Sequence, residues 1–114
     1  MATGENRRYQ KLAHQLIPAG AHTYSRADDQ YPTNAPPILE RGLGAYVWDA
    51  EGNKFLDYGM ALRAITVGHH YERISNAAIE EIKKGNNLTR ASVTEVKAAE
   101  VFTGLIPGAE MVKF

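Results

Sequence analysis

The stretch AYVWDAEGNKFLDY, residues 45–58, constrains the fold of this chain more than any other. Two short runs of aromatic and β-branched residues flank DAEGN, a turn in which Gly52 is free to take a positive φ. The stretch therefore reads as an antiparallel hairpin, and a third strand is expected just upstream, around Ile38–Glu40. A two-stranded hairpin is marginal in water, so this meander needs a surface to lean on. Its aromatics, Tyr46, Trp48, Phe55 and Tyr58, read as packing residues rather than as a ligand box.

Helical patterns supply the candidate surfaces. Tyr9, Leu12, Ala13, Leu16 and Ile17 recur at the spacing of one helix face, with Thr3 as the expected N-cap and Pro18 and Gly20 as the stop. A second stripe, Tyr71, Ile74, Ala78 and Ile82, predicts a helix from Tyr71 to about Lys84. Glu72 in its first turn and Lys83-Lys84 in its last suit the helix dipole, and Gly85 is placed to cap it. Ser92-Val93-Thr94-Glu95 is a capping box that opens a third helix, expected to bury Ala98, Val101, Phe102 and Leu105 and to end near Gly104 and Pro107. The final AEMVKF, residues 109–114, alternates like the opening of a buried strand. A core strand needs neighbours, so the reading at this point is of a piece of a larger fold.

Composition narrows the function classes. The chain has 114 residues, 44% hydrophobic and 23% charged, an ordinary globular balance. Its 13 basic and 13 acidic residues cancel and are interspersed, which predicts no pull toward nucleic acid or membrane. Without cysteine there are no disulfides and no thiolate metal sites. No apolar run approaches the ~20 residues of a membrane span, and the polar N-terminus does not read as a signal peptide. A reducing cytoplasm is the expected setting, in which the sequon-like Asn87-Leu88-Thr89 has no glycosylation role.

Few residues have chemical spacing. His69-His70 are adjacent and point apart on any regular element, so a turn with a capping or polar contact is expected rather than a metal site. The GLG at 42–44 leads into a strand and lacks the third glycine of a dinucleotide fingerprint. Asp28-Asp29 read as solvated loop aspartates. None of the six lysines (11, 54, 83, 84, 97 and 113) has the desolvated or cation-flanked context of a Schiff-base amine. Arg26 stands out, because it lies in the long irregular stretch 19–40 beside Thr23 and Ser25. Its planar fork suits a carboxylate or phosphate. From the residues alone it is either an anion contact or a surface arginine.

Four stretches together resemble the N-terminal region of the class III pyridoxal-phosphate aminotransferases, in particular the glutamate-1-semialdehyde 2,1-aminomutase group. They are IPAGAHTYSRA (17–27), ERGLGAYVWDAEGNKFLDYG (40–59), VGHHYERISNAAIEEIKKG (67–85) and TEVKAAEVFTGLIPGAEMVKF (94–114). The resemblance implies an α/β fold, the N-terminal segment of a fold-type I transferase. It implies a small-domain part at about 1–70 and helices leading into the large domain at about 71–114. The implied cofactor is pyridoxal 5'-phosphate, and the implied partners are a small-molecule amino donor or acceptor and a second copy of the full-length protein in a homodimer. The strand matching MVKF leads, in that family, into the loop that holds the cofactor phosphate. Both that loop and the Schiff-base lysine are therefore expected beyond Phe114, with no catalytic or cofactor-binding residue in this chain.

Two positions carry over as substrate contacts, Arg26 near a substrate carboxylate and Thr23 beside it. Three stretches depart from the family pattern. GMALRAITVG (59–68) places Leu62 where the mutases tend to show a tryptophan, Glu72 replaces a proline, and NNLTRASVTE (86–95) differs from a Gly-Ala-Pro-Thr-rich segment. These leave the substrate open between the mutase substrate and a sugar, amino acid or polyamine intermediate. The alternative to an enzyme portion is a non-catalytic interaction module, or half of a split enzyme completed by a partner chain.

Overall fold

A computed structural model describes residues 4–85 and 87–114. Thr3, the expected cap of the first helix, lies outside the described residues. The chain divides into two compact units, Met1–Ser75 and Asn76–Phe114.

In the first unit, helix α1 spans Gly4–Leu16 and stops where Pro18 and Gly20 were expected to stop it. Three single 3-10 turns follow, Pro18–Gly20, Tyr24–Arg26 and Asp28–Gln30. The meander forms as β1 (Leu39–Leu43), β2 (Tyr46–Asp49) and β3 (Lys54–Leu56), all antiparallel in that order. Leu43 pairs with Tyr46, so Gly44 and Ala45 are a two-residue hairpin turn. Gly44 takes φ +57°, the left-handed value such a turn asks of its first residue. Gly42 thus lies inside β1, and Gly44 turns the chain into β2, the strand entry expected of the 42–44 stretch. Gly52, at φ +81°, serves the second turn as its spacing predicts.

The two faces of the sheet differ. Across one, Arg41 lies over the Trp48 ring at 3.6 Å and Lys54 over Tyr46 at 3.7 Å, so cations cover the aromatics. On the other, Val47 pairs with Phe55 and is buried, as is Asp49. Asp49 closes the second turn by accepting from the Glu51 amide (3.0 Å) and from the amide and Nδ2 of Asn53 (2.8 and 2.9 Å). The surface the hairpin leans on is the start of α1, where buried Asn6 reaches Asp49 and the Ala50 amide.

Downstream, α2 spans Glu72–Lys83 and α3 spans Val93–Leu105. Gly85 takes φ +90° after α2, and its amide returns to the Ile82 carbonyl at 3.0 Å. The capping box at Ser92 and Glu95 forms in both directions. Two expectations fail. The apolar stripe of α3 is exposed, with Val101 at 62% and Leu105 at 74%, because no described element of its unit packs closely over it. Residues 109–114 form no strand, since among the described residues of their unit no strand offers them a ladder. Phe114 instead meets Phe102 edge-on at 6.1 Å.

Candidate functional site

A broad open groove of about 1330 Å³ lies within the first unit, between the 26–39 stretch and the sheet. Val47, Phe55 and Leu56 supply its sheet side, and Pro36, Pro37 and Ile38 face them from the loop. Arg26, Asp28 and Asp29 bring charge to it, and Asp57, Ala61, Leu62 and His69 also line it.

Arg26 is fixed through its backbone. Its amide donates to the Thr23 carbonyl at 3.0 Å, and the next residue, Ala27, is 1% exposed and donates to the Tyr24 carbonyl. The Tyr31 hydroxyl donates to the Ser25 carbonyl at 3.1 Å and ties the turn from outside. Asp28 anchors the same loop to α1. It accepts from Gln10 Nε2 at 2.5 Å and lies 3.0 Å from His14 Nε2. Those contacts, Gln10 first and His14 next, hold its carboxyl below the usual carboxylate range. Asp28 is therefore a structural tie rather than the solvated residue its sequence context suggests, while Asp29 accepts from Gln30. Among the described residues no carboxylate pairs with the Arg26 guanidinium. Thr23 shapes the turn through its carbonyl but does not line the groove.

The stretch that follows β3 has an unusual backbone. Met60, Ala61, Leu62 and Arg63 have φ of 42°, 50°, 59° and 72°, a left-handed helical turn without a glycine. Asp57 receives its entry, as Oδ1 accepts from the Gly59 and Met60 amides at 3.0 and 2.9 Å. Its Oδ2 meets His69 Nε2 at 2.7 Å. Burial pushes the Asp57 carboxyl up, but the His69 contact and the two amides outweigh it and leave it below the usual range. His69 is itself bonded in both directions to Gly44, at 2.8 and 2.9 Å. His70 meets Ser75 Oγ at 3.0 Å, so the two histidines make the separate polar contacts expected of them. No group of three or more metal-ligating side chains occurs among the described residues.

Asp57 and the left-handed turn escaped the sequence reading. The available signal was an aspartate two residues before a glycine, the pattern in which a side chain accepts amides further along the chain.

The groove does not by itself fit pyridoxal phosphate. None of its lining residues is a lysine. Lys83 and Lys84 are ion-paired with Glu80 and Glu81, and Lys54 lies on Tyr46. Among the described residues, no helix is long and apolar enough to cross a membrane.

No protein-family model matches the chain. Over 109 residues, 93% of its length, it is 33% identical to a glutamate-1-semialdehyde 2,1-aminomutase of Alkaliphilus metalliredigens (strain QYMF), of which it spans 24%. Among solved structures it is similar to the FumI protein of Sphingopyxis sp. MTA144, solved with PLP. There the identity is 27% and the TM-score 0.82, over 93% of this chain and 25% of that one. It is also similar to a β-phenylalanine aminotransferase from Variovorax paradoxus, with 28% identity and a TM-score of 0.75 over 93% of this chain and 24% of the other. The chain spans about a quarter of the length of the proteins it matches.

Proposed function

We propose that this chain, which spans about a quarter of the proteins it matches, forms the substrate-carboxylate side of a class III pyridoxal-phosphate aminotransferase. The complete protein moves an amino group within or between small molecules, as an aminotransferase or aminomutase, and works as a homodimer in the cytoplasm. Residues 1–70 belong to its small domain and 71–114 lead into the large one. The Schiff-base lysine and the phosphate loop come from sequence beyond Phe114. This chain's own residues do not fit the cofactor, and its part in the chemistry is to bind and orient the substrate.

The observation that carries the reading is Arg26, a guanidinium on the groove with no carboxylate partner among the described residues. A substrate carboxylate accepts two parallel hydrogen bonds from such a fork, which fixes orientation as well as position. Thr23 contributes by setting the turn that presents Arg26, through the 3.0 Å bond from the Arg26 amide. The similar proteins include a glutamate-1-semialdehyde 2,1-aminomutase and a β-phenylalanine aminotransferase, whose names support a carboxylate-bearing substrate.

The test compares amino donors with and without a carboxylate, using the complete protein and its Arg26→Ala and Arg26→Lys variants. A charged hydrogen-bonded contact is worth about 1.5–3 kcal/mol. Arg26→Ala should therefore raise KM about 10- to 100-fold for carboxylate donors and leave simple amines near their original values. Equal effects on both donor classes would overturn the assignment.

A further inference from the structure

Four consecutive residues without a glycine, Met60–Arg63, sit in the left-handed region, where a β-carbon is crowded by the following carbonyl. Such a conformation persists only where its surroundings over-determine it. Here they do. The Asp57 carboxylate receives the amides of Gly59 and Met60, and the Arg63 amide returns to the Gly59 carbonyl at 2.9 Å. The Ile65 amide returns to the Met60 carbonyl at 3.1 Å. A carboxylate only accepts, so His69 donates from Nε2 to Asp57 Oδ2, and its backbone is bonded on both sides to Gly44. The imidazole occupies the space above Gly42, where an added β-carbon would lie 2.5 Å from His69 Cγ. Among the described residues, the hydrogen bonds that fix the turn pass through Asp57 or the local backbone, and Ala61 and Leu62 line the groove that Arg26 also lines.

We infer that Asp57 and His69 are a positioning pair that holds the Met60–Arg63 turn as an apolar wall of the groove that Arg26 also lines, and that this wall selects monocarboxylates bearing an apolar chain. The inference rests on the carboxylate reading of Arg26 and adds the rest of the ligand to it. Pro37, Ile38, Val47 and Phe55 continue the apolar surface on the other sides. Asp28 and Asp29 on the same groove disfavour a doubly charged phosphate and leave a singly charged carboxylate as the matching anion.

The probes are acetate and hexanoate, titrated into the intact protein and followed by NMR at Arg26, Leu62, Gly59 and Met60. Hexanoate should bind about tenfold or more tighter than acetate, since its extra methylenes leave water on the wall. In Leu62→Ala and in Asp57→Asn the hexanoate-to-acetate ratio should fall toward one. Asp57→Asn should also move the Gly59 and Met60 amide resonances before any ligand is added, which Leu62→Ala should not. Equal binding of the two probes by the unaltered protein, or no binding of either, overturns the wall. So does a ratio that survives Leu62→Ala, a variant that leaves the Asp57 contacts in place and so decides the matter even if Asp57→Asn does not fold. If Arg26→Ala leaves acetate binding intact, the carboxylate role of Arg26 fails separately, while the ratio still reports on the wall.

Discussion

Asn6 Nδ2 donates to Asp49 Oδ2 at 2.8 Å, joining the first turn of α1 to the β2–β3 turn across 43 residues. Both residues are buried, at 4% and 2% exposure, in a unit whose buried apolar residues, among those described, are Ala27 and Val47. A polar contact therefore does here what an apolar core does in larger domains. Asn6 serves it with both ends of its amide, since Oδ1 accepts from the Ala50 amide at 3.1 Å.

Removing either partner should cost more than the net value of one hydrogen bond, because the other is left buried and under-satisfied. Asn6→Ala is expected to destabilise the first unit by about 1–3 kcal/mol, and Asp49→Ala by at least as much. The double variant should cost less than the sum of the two, which is the signature of a shared contact. Urea denaturation of the four proteins measures this, and strict additivity would show that Asn6 and Asp49 act independently.

Two glycines predict opposite outcomes on substitution by alanine. At Gly42 the new β-carbon would meet the His69 ring and its Cβ at 2.5–2.9 Å, and the ring is held by Asp57 and cannot swing away freely. Gly42→Ala should cost about 1–3 kcal/mol and shift the His69 imidazole resonances. At Gly104, inside α3, nothing lies within 4 Å of the added carbon. Gly104→Ala should raise helix stability by about 0.5–1 kcal/mol, visible as a higher melting midpoint.

What could be read from the sequence was local. The Gly52 turn, the Ser92–Glu95 capping box and the Gly85 stop each depend on residues within a few positions, and each formed. Arg26 was identifiable as a candidate because an arginine stood in a long unpatterned loop. The Asn6–Asp49 contact was hidden by its separation in the chain. The Met60–Arg63 turn was hidden for another reason. Met, Ala, Leu and Arg all favour right-handed helix, and the left-handed turn is imposed by Asp57 and His69 rather than by any preference of its own residues. The strand expected at 109–114 had the right alternation, but alternation specifies a face and not the neighbour that a ladder needs.

The exposed, ion-paired lysines predict a spectroscopic result for the 114-residue chain. A Schiff base needs a positioned amine with room to attack the aldehyde, whereas Lys83 and Lys84 are engaged at 2.6 and 2.5 Å by glutamate oxygens on an exposed helix face. Pyridoxal phosphate titrated into this chain should give no saturable yellow band. A saturable band abolished by replacing one of the six lysines would place the cofactor site within these residues and overturn the proposal that it is completed by sequence beyond Phe114.

Asp28, Asp49 and Asp57 together set how stability follows pH. Burial pushes Asp49 up, but the bonds from Asn53, Asn6 and the Asn53 and Glu51 amides outweigh it, so Asp49 joins Asp28 and Asp57 below the usual carboxylate range. In the unfolded chain each returns to about 3.9. Between the folded and unfolded values the unfolded chain binds more protons, so acid favours unfolding. The stabilisation is fully present above the unfolded value and is lost as pH falls through the folded ones. The urea midpoint should therefore stay nearly level from pH 7 down to about 5 and drop steeply below about 4. Asp49→Asn removes one titrating group, so its midpoint should start lower at pH 7 and fall less steeply in acid. A variant whose curve ran parallel to the unaltered protein at every pH would show that Asp49 does not contribute to the acid limb.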